Sequence, residues 1–259
     1  MAIENWLETD ENKTLLAICA RKAIKGYGIV GIVWGVINIA IGVVAIRQNI
    51  INVGILVLAA LMIASAIYCL TRPNVTAILI EAIVSCLLLA WNVGIAVLNL
   101  SAGAAFNPRG VIFPLIVAVV LFKKYGQLQA IKDLIAAVSA EQIKQAMLTC
   151  KGILKKKWEK DPSVAVTRTG AFFGSGGARL QRMEGRAFFV MGNLSHAFVM
   201  PDETLLASLS DPTVKKAKIV VQHPMGKVTI MLDQKNTERV RSWLRPAAPA
   251  QPAAAESPA

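Results

Sequence analysis

The sequence predicts a membrane α-helical protein: four transmembrane helices followed by a small cytosolic β-rich domain that closes with a helix. Three observations lead there. Hydrophobic residues make up 55% and charged residues 17% of the chain, with a mean hydropathy of +0.53, too apolar for an ordinary soluble protein. Most of that apolar content falls in four runs between residues 24 and 122. Beyond residue 163 the hydrophobic period changes from that of a helix to that of a strand.

Residues 1–22 read as an amphipathic interfacial segment, with Ile3, Trp6, Leu7, Leu15, Leu16 and Ile18 as apolar contacts on a membrane surface. The opening Met1-Ala-Ile-Glu-Asn-Trp-Leu-Glu is acidic and predicts no cleavable leader, so the first span serves as its own insertion signal. Residues 23–125 form the four-helix transmembrane domain, with spans at about 24–46, 50–70, 76–100 and 108–125. The fourth run is short unless Lys123 and Lys124 snorkel or the apolar part starts near Phe106. In the first, Gly28, Gly31, Gly35, Asn38, Gly42 and Ala45 recur every three or four residues, which keeps them on one narrow helix face. Such a face invites close helix packing, either within the bundle or as the seam of a homodimer. Lys13, Arg21, Lys22 and Lys25 precede the first span, and Lys123, Lys124 and Lys132 follow the last. An even number of spans and the positive-inside rule then place both termini in the cytoplasm, across the cell's inner (plasma) membrane.

Residues 126–160 read as a basic amphipathic helical linker. Leu128, Ile131, Ile135 and Val138 keep helical spacing, and Ser139-Ala-Glu-Gln142 is a capping box that starts a second helix. That helix presents Ile143, Met147, Cys150, Leu154 and Trp158 on one face, with Lys144, Lys151 and Lys155 around it. Lys155, Lys156 and Lys157 beside Trp158 suit the anionic headgroups of a lipid bilayer, or else a solvated face. Residues 161–245 form the cytosolic β-rich domain, with strands at 164–168, 178–184, 187–191, 196–200, 216–222 and 227–232 and a helix over 236–244. Turns fall at Gly185 and at Pro224-Met-Gly226. The Pro/Ala-rich stretch 246–259 is expected to be disordered.

Short antiparallel strands followed by the helix Glu238-Arg-Val-Arg-Ser-Trp243-Leu give residues 163–245 an element order that resembles the pleckstrin-homology-like domains of bacterial membrane proteins. The resemblance implies a binding or scaffolding module. The four-span half resembles no particular family.

Among chemical groups, Glu81 stands out as the one acidic residue within the spans, and ionisable groups there are costly. Glu81, Ser85, Asn92 and Asn99 form a polar stripe on the third helix, which Asn38 and Asn52 could join to carry a proton or cation. The competing reading has Glu81 paired with Arg72 and the asparagines bonding helices together. Trp34 and Trp91 lie deep in their spans and read as packing residues. Gly174-Ser-Gly-Gly177 lacks the residues of a phosphate loop and reads as a turn. Ser195 and His196, adjacent on a strand, point to opposite faces and make no catalytic pair.

The four cysteines and two histidines show no disulfide or metal spacing, and no cofactor is expected. The net charge is +12, and residues 123–259 carry 21 Lys and Arg against 11 Asp and Glu. Without aromatic or motif support, this fits a basic face beside anionic lipid rather than nucleic-acid binding. The expected function is non-enzymatic: a membrane-anchored interaction or scaffold module that binds the lipid surface or an unidentified cytosolic protein. The alternative is a small oligomeric transporter or channel using Glu81.

Overall fold

The computed structural model describes residues 9–46, 53–103, 108–155, 164–168, 177–183, 185–209, 211 and 213–244. Among these, four helices are long and apolar enough to cross a membrane: α1 (Asp10–Ile46), α2 (Val53–Thr71), α3 (Val75–Ser101) and α4 (Arg109–Ala130). They pack in chain order, α1 on α2, α2 on α3 and α3 on α4, as the short connections require. Pro73 stops α2, and Asn74 caps α3 by accepting the Ala77 amide at 2.8 Å. The fourth span is not short, because α4 continues past Lys124 to Ala130.

The small-residue stripe of α1 is its buried face. Gly28 lies against the Ala66 carbonyl and Cys69, Gly35 against Ile63 and Ala59, and Gly42 against Ile55 and Leu56. The stripe therefore packs on α2 of the same chain. The bulky residues beside it, Ile29, Val33, Val36 and Val44 among them, are more than half exposed, the surface an apolar solvent would wet.

The expectation of a separate surface helix at the N-terminus is corrected. At about 1.5 Å per residue, the 37 residues of α1 run about 55 Å, well beyond a hydrocarbon core of about 30 Å. Its first turns are a core: Leu15, Leu16, Ala17, Ile18, Cys19 and Ala20 are each at most 3% exposed. Ile3, Trp6 and Leu7 lie outside the described residues.

The covering comes partly from α5 (Lys132–Ala136) and α6 (Ala140–Lys155). The capping box forms as the sequence predicts: the Ser139 amide donates to Gln142 Oε1 at 2.8 Å, and the Gln142 amide to Ser139 Oγ at 3.2 Å. However, α6 turns Ile143, Cys150 and Ile153 onto α1 and the sheet, so residues 126–155 are not a linker, and this apolar face is closed to lipid. Lys156, Lys157 and Trp158, like the side chain of Lys155, lie outside the described residues.

The sheet is antiparallel throughout and has six strands among the described residues: β1 (Val164–Arg168), β2 (Ala178–Met183), β3 (Arg186–Met191), β4 (Ala197–Pro201), β5 (Ala217–His223) and β6 (Gly226–Leu232), in the order β4-β3-β2-β1-β6-β5. β1 joins the two hairpin systems, with Val164 opposite Leu180 on one side and Thr167 opposite Met231 on the other. Gly185 closes the β2–β3 turn at φ +77°, a region open to glycine at no steric cost.

Two helices cover one face of the sheet. One is α8 (Gln234–Leu244), with Val240 and Trp243 inward as the sequence predicts; the other is α7 (Asp202–Leu209), which interrupts the run of strands and was not foreseen. On the opposite face Phe188, Val190, Ala197 and Val199 meet α1 and α6. Sandwiching explains why five consecutive residues of β3, Ala187 to Met191, are buried instead of alternating.

Candidate functional site in the apolar bundle

Glu81 is 2% exposed and sits where α1, α2 and α3 meet. Its carboxylate lies against Gly31 of α1, where even a Cβ would collide with it. From α2, Ser65 is hydrogen-bonded to Glu81 Oε2, and the same hydroxyl oxygen lies 2.9 Å from the Met62 carbonyl. Among the described residues no cation pairs with Glu81; Arg72, its expected partner, is exposed at the end of α2. Ser85, one turn further along α3, is 2% exposed, and its hydroxyl has no partner among the described residues.

The rest of the predicted polar stripe does not assemble. Asn92 is half-buried and Asn99 exposed. Asn38 is buried but turns its amide to the Trp34 carbonyl of its own helix, at 2.8 Å; Asn52 lies outside the described residues. Trp34 and Trp91 pack: the Trp34 ring lies 4.4 Å from that of Phe113, and Trp91 fills the space left by Gly54.

A second polar cluster joins the bundle to the sheet. Asn12 of α1 clasps the outer edge of β4. Its Nδ2 donates to the Val199 carbonyl at 3.0 Å, and its Oδ1 accepts the Val199 amide at 2.7 Å. The side-chain amide thereby replaces a neighbouring strand at a position where unpaired backbone is a liability. Asn12→Ala strands both groups in a buried site, and we expect it to lower stability by roughly 1–3 kcal/mol. A thermal melt of the full chain in nanodiscs checks this, and an unchanged midpoint would count against it.

Nearby, Lys124 of α4 reaches the β5–β6 turn, with Nζ 3.4 Å from the Met225 carbonyl. His196 and His223, far apart in sequence, bring their rings to 5.2 Å. His223 Nδ1 accepts the Met225 amide at 3.1 Å, which leaves the ring proton on Nε2. Burial first, then His196 and Lys124, push the His223 pKa down to about 3. The placement of Ser195 and His196 is also corrected. They precede β4 instead of lying on it, so Ser195 Oγ comes within 3.1 Å of His196 Nδ1.

All four cysteines are free thiols. Burial raises the Cys150 thiol to about 11, which keeps it unreactive at neutral pH.

Fold and site together define a protein of four span-length apolar helices whose first helix runs on into the core of a docked sheet domain. No family model matches the chain, and no curated protein or solved structure matches it.

Proposed function

We propose that the chain is a membrane-anchored interaction module of the cell's inner membrane, with both termini cytoplasmic and the sheet domain held at a fixed orientation on the cytoplasmic face. The observation behind this reading is the continuity of α1, which leaves the bundle unbroken and is clasped to β4 through Asn12. A tether needs no such rigidity, whereas a module that presents a surface to a partner does. The implied likeness of residues 163–245 to pleckstrin-homology-like modules points the same way. With the apolar face of α6 turned inward, the surface on offer is that of the domain, where β5 is an outermost strand and Lys218, Val220 and Gln222 are exposed. Exposed strand edges and alternating pockets are a common means of binding protein segments.

The test is site-specific photo-crosslinking in intact membranes from positions 218, 220, 222 and 227. The reading expects a discrete protein adduct that disappears when Trp243→Ala disrupts the domain core. No adduct from any of the four positions would sink it. The burial of Glu81 without a cation partner among the described residues favours a second reading, ion or proton flux through an oligomer. In that case Glu81→Gln abolishes flux in proteoliposomes and leaves assembly intact.

A further inference from the structure

A serine hydroxyl carries one hydrogen, yet Ser65 Oγ lies within hydrogen-bonding reach of two acceptors, the Met62 carbonyl and Glu81 Oε2. One hydrogen cannot satisfy both. If Ser65 donates to the Met62 carbonyl, the hydrogen between Ser65 and Glu81 must come from the carboxyl, which is then protonated. If Glu81 is ionised, the hydroxyl rotates to the carboxylate and releases the carbonyl, which still holds its helical bond. The same heavy-atom positions thus serve both protonation states, and the hydroxyl rotor distinguishes them.

We propose that Glu81 and Ser65 form a proton-binding site within the bundle, in which the Ser65 hydroxyl switches between the Met62 carbonyl and the Glu81 carboxylate as the proton is bound and released. On release the O–H bond of the carboxyl breaks, the electron pair stays on Oε2, and the proton passes to water. The surroundings suit a site of this kind. α1 presents only glycine at this level, Gly31, whose missing side chain is what admits the carboxyl. α2 contributes Ser65 and two titratable groups, the buried thiol of Cys69 and the half-buried phenol of Tyr68, neither of them cationic. On α3 the unpartnered Ser85 hydroxyl follows one turn later, a donor in reserve for the ionised form. α4 has no charged residue between Gly110 and Phe122. Among the described residues, therefore, no fixed positive charge holds Glu81 ionised and no second carboxylate competes for the proton. The site does not depend on net transport across the bilayer, so it stands or falls separately from the flux reading.

The experiment is infrared difference spectroscopy of the full chain in lipid nanodiscs across a pH series, comparing wild type, Glu81→Gln and Ser65→Ala. In wild type the proposal expects a protonated-carboxyl C=O band that is absent from Glu81→Gln, shifts in heavy water and is lost reversibly as pH rises. Ser65→Ala removes the hydrogen bond that supports the ionised form, so the band should persist to a proton concentration at least about tenfold lower. This second variant keeps the test decisive if Glu81→Gln fails to assemble. Three results would each overturn the proposal: no Glu81 band at any pH, a band that ignores pH, or a Ser65→Ala titration that superimposes on wild type.

Discussion

Gly31→Leu is expected to disrupt the bundle, and removing the Glu81 side chain in the same molecule is expected to restore much of what is lost. A Cβ at position 31 already collides with the Glu81 carboxylate and comes within 3.0 Å of the Ala66 Cβ. Three further carbons have nowhere to go, since Glu81 is held by Ser65 and enclosed by α2. Overpacking on this scale costs about 3 kcal/mol or more, well above the roughly 1 kcal/mol that a better helix former than glycine returns. Glu81→Ala removes the carboxylate arm that the new side chain strikes, so the double variant should recover, and the pair should be strongly coupled. Gly26→Ala is the control. Nothing lies within 4 Å of a Cβ there, so it should be neutral or slightly stabilising. Thermal melts of the four proteins in nanodiscs read the cycle, and simple additivity of positions 31 and 81 would refute the contact.

The same region shows how much the sequence already said. The glycine stripe was legible as a packing face because helical spacing is a local property, and the structure supplies only its partner, α2. The pairing of Ser65 with Glu81 is legible in their spacing too. They lie eight residues before and eight after Pro73, so an antiparallel helix pair turning at that proline sets them level. Asn99 failed as a site residue for a physical reason. A single polar residue about five turns beyond Glu81 on α3 gains nothing from facing inward unless a neighbour offers it a partner, and it is exposed.

The N-terminal segment departs from the surface-helix expectation for a reason its own residues carry. Leu15-Leu-Ala-Ile-Cys-Ala20 has no polar residue over nearly two turns, and a helix that is apolar all round is buried rather than laid on a surface. Between Lys13 and Lys25 there is neither proline nor glycine to break the helix. Similarly, α7 had a start signal in Pro201-Asp-Glu and an inward pair in Leu205 and Leu209, both buried. What local pattern could not supply was the covering of both sheet faces. That depends on α1 returning against β4 from nearly two hundred residues away, a contact no periodicity encodes. The meeting of His196 and His223 is non-local in the same way, since it needs the ends of β4 and β5 brought to one side of the junction.

That histidine pair makes acid the expected solvent for loosening the domain from the bundle. In the folded protein His223 is held neutral, chiefly by burial and then by His196 and Lys124, with a pKa of about 3 against an ordinary 6.5. Below pH 6.5 the unfolded chain takes up a proton that the folded chain refuses, so stability is full above that pH and falls as pH drops towards 3. The slope contributed by this one group approaches about 1.4 kcal/mol per pH unit, or roughly 3–4 kcal/mol across the window. His223→Asn keeps an oxygen able to accept the Met225 amide but cannot take up the proton. Melts followed by tryptophan fluorescence, to which the buried Trp243 contributes, should therefore show a shallower loss of stability between pH 6.5 and 4 in the variant than in the wild type. Equal slopes would mean that His223 titrates alike in both states and that the junction is open to water. A shallower slope would identify this buried neutral ring, beside Lys124 of α4, as part of what couples the sheet domain to the helices beneath it.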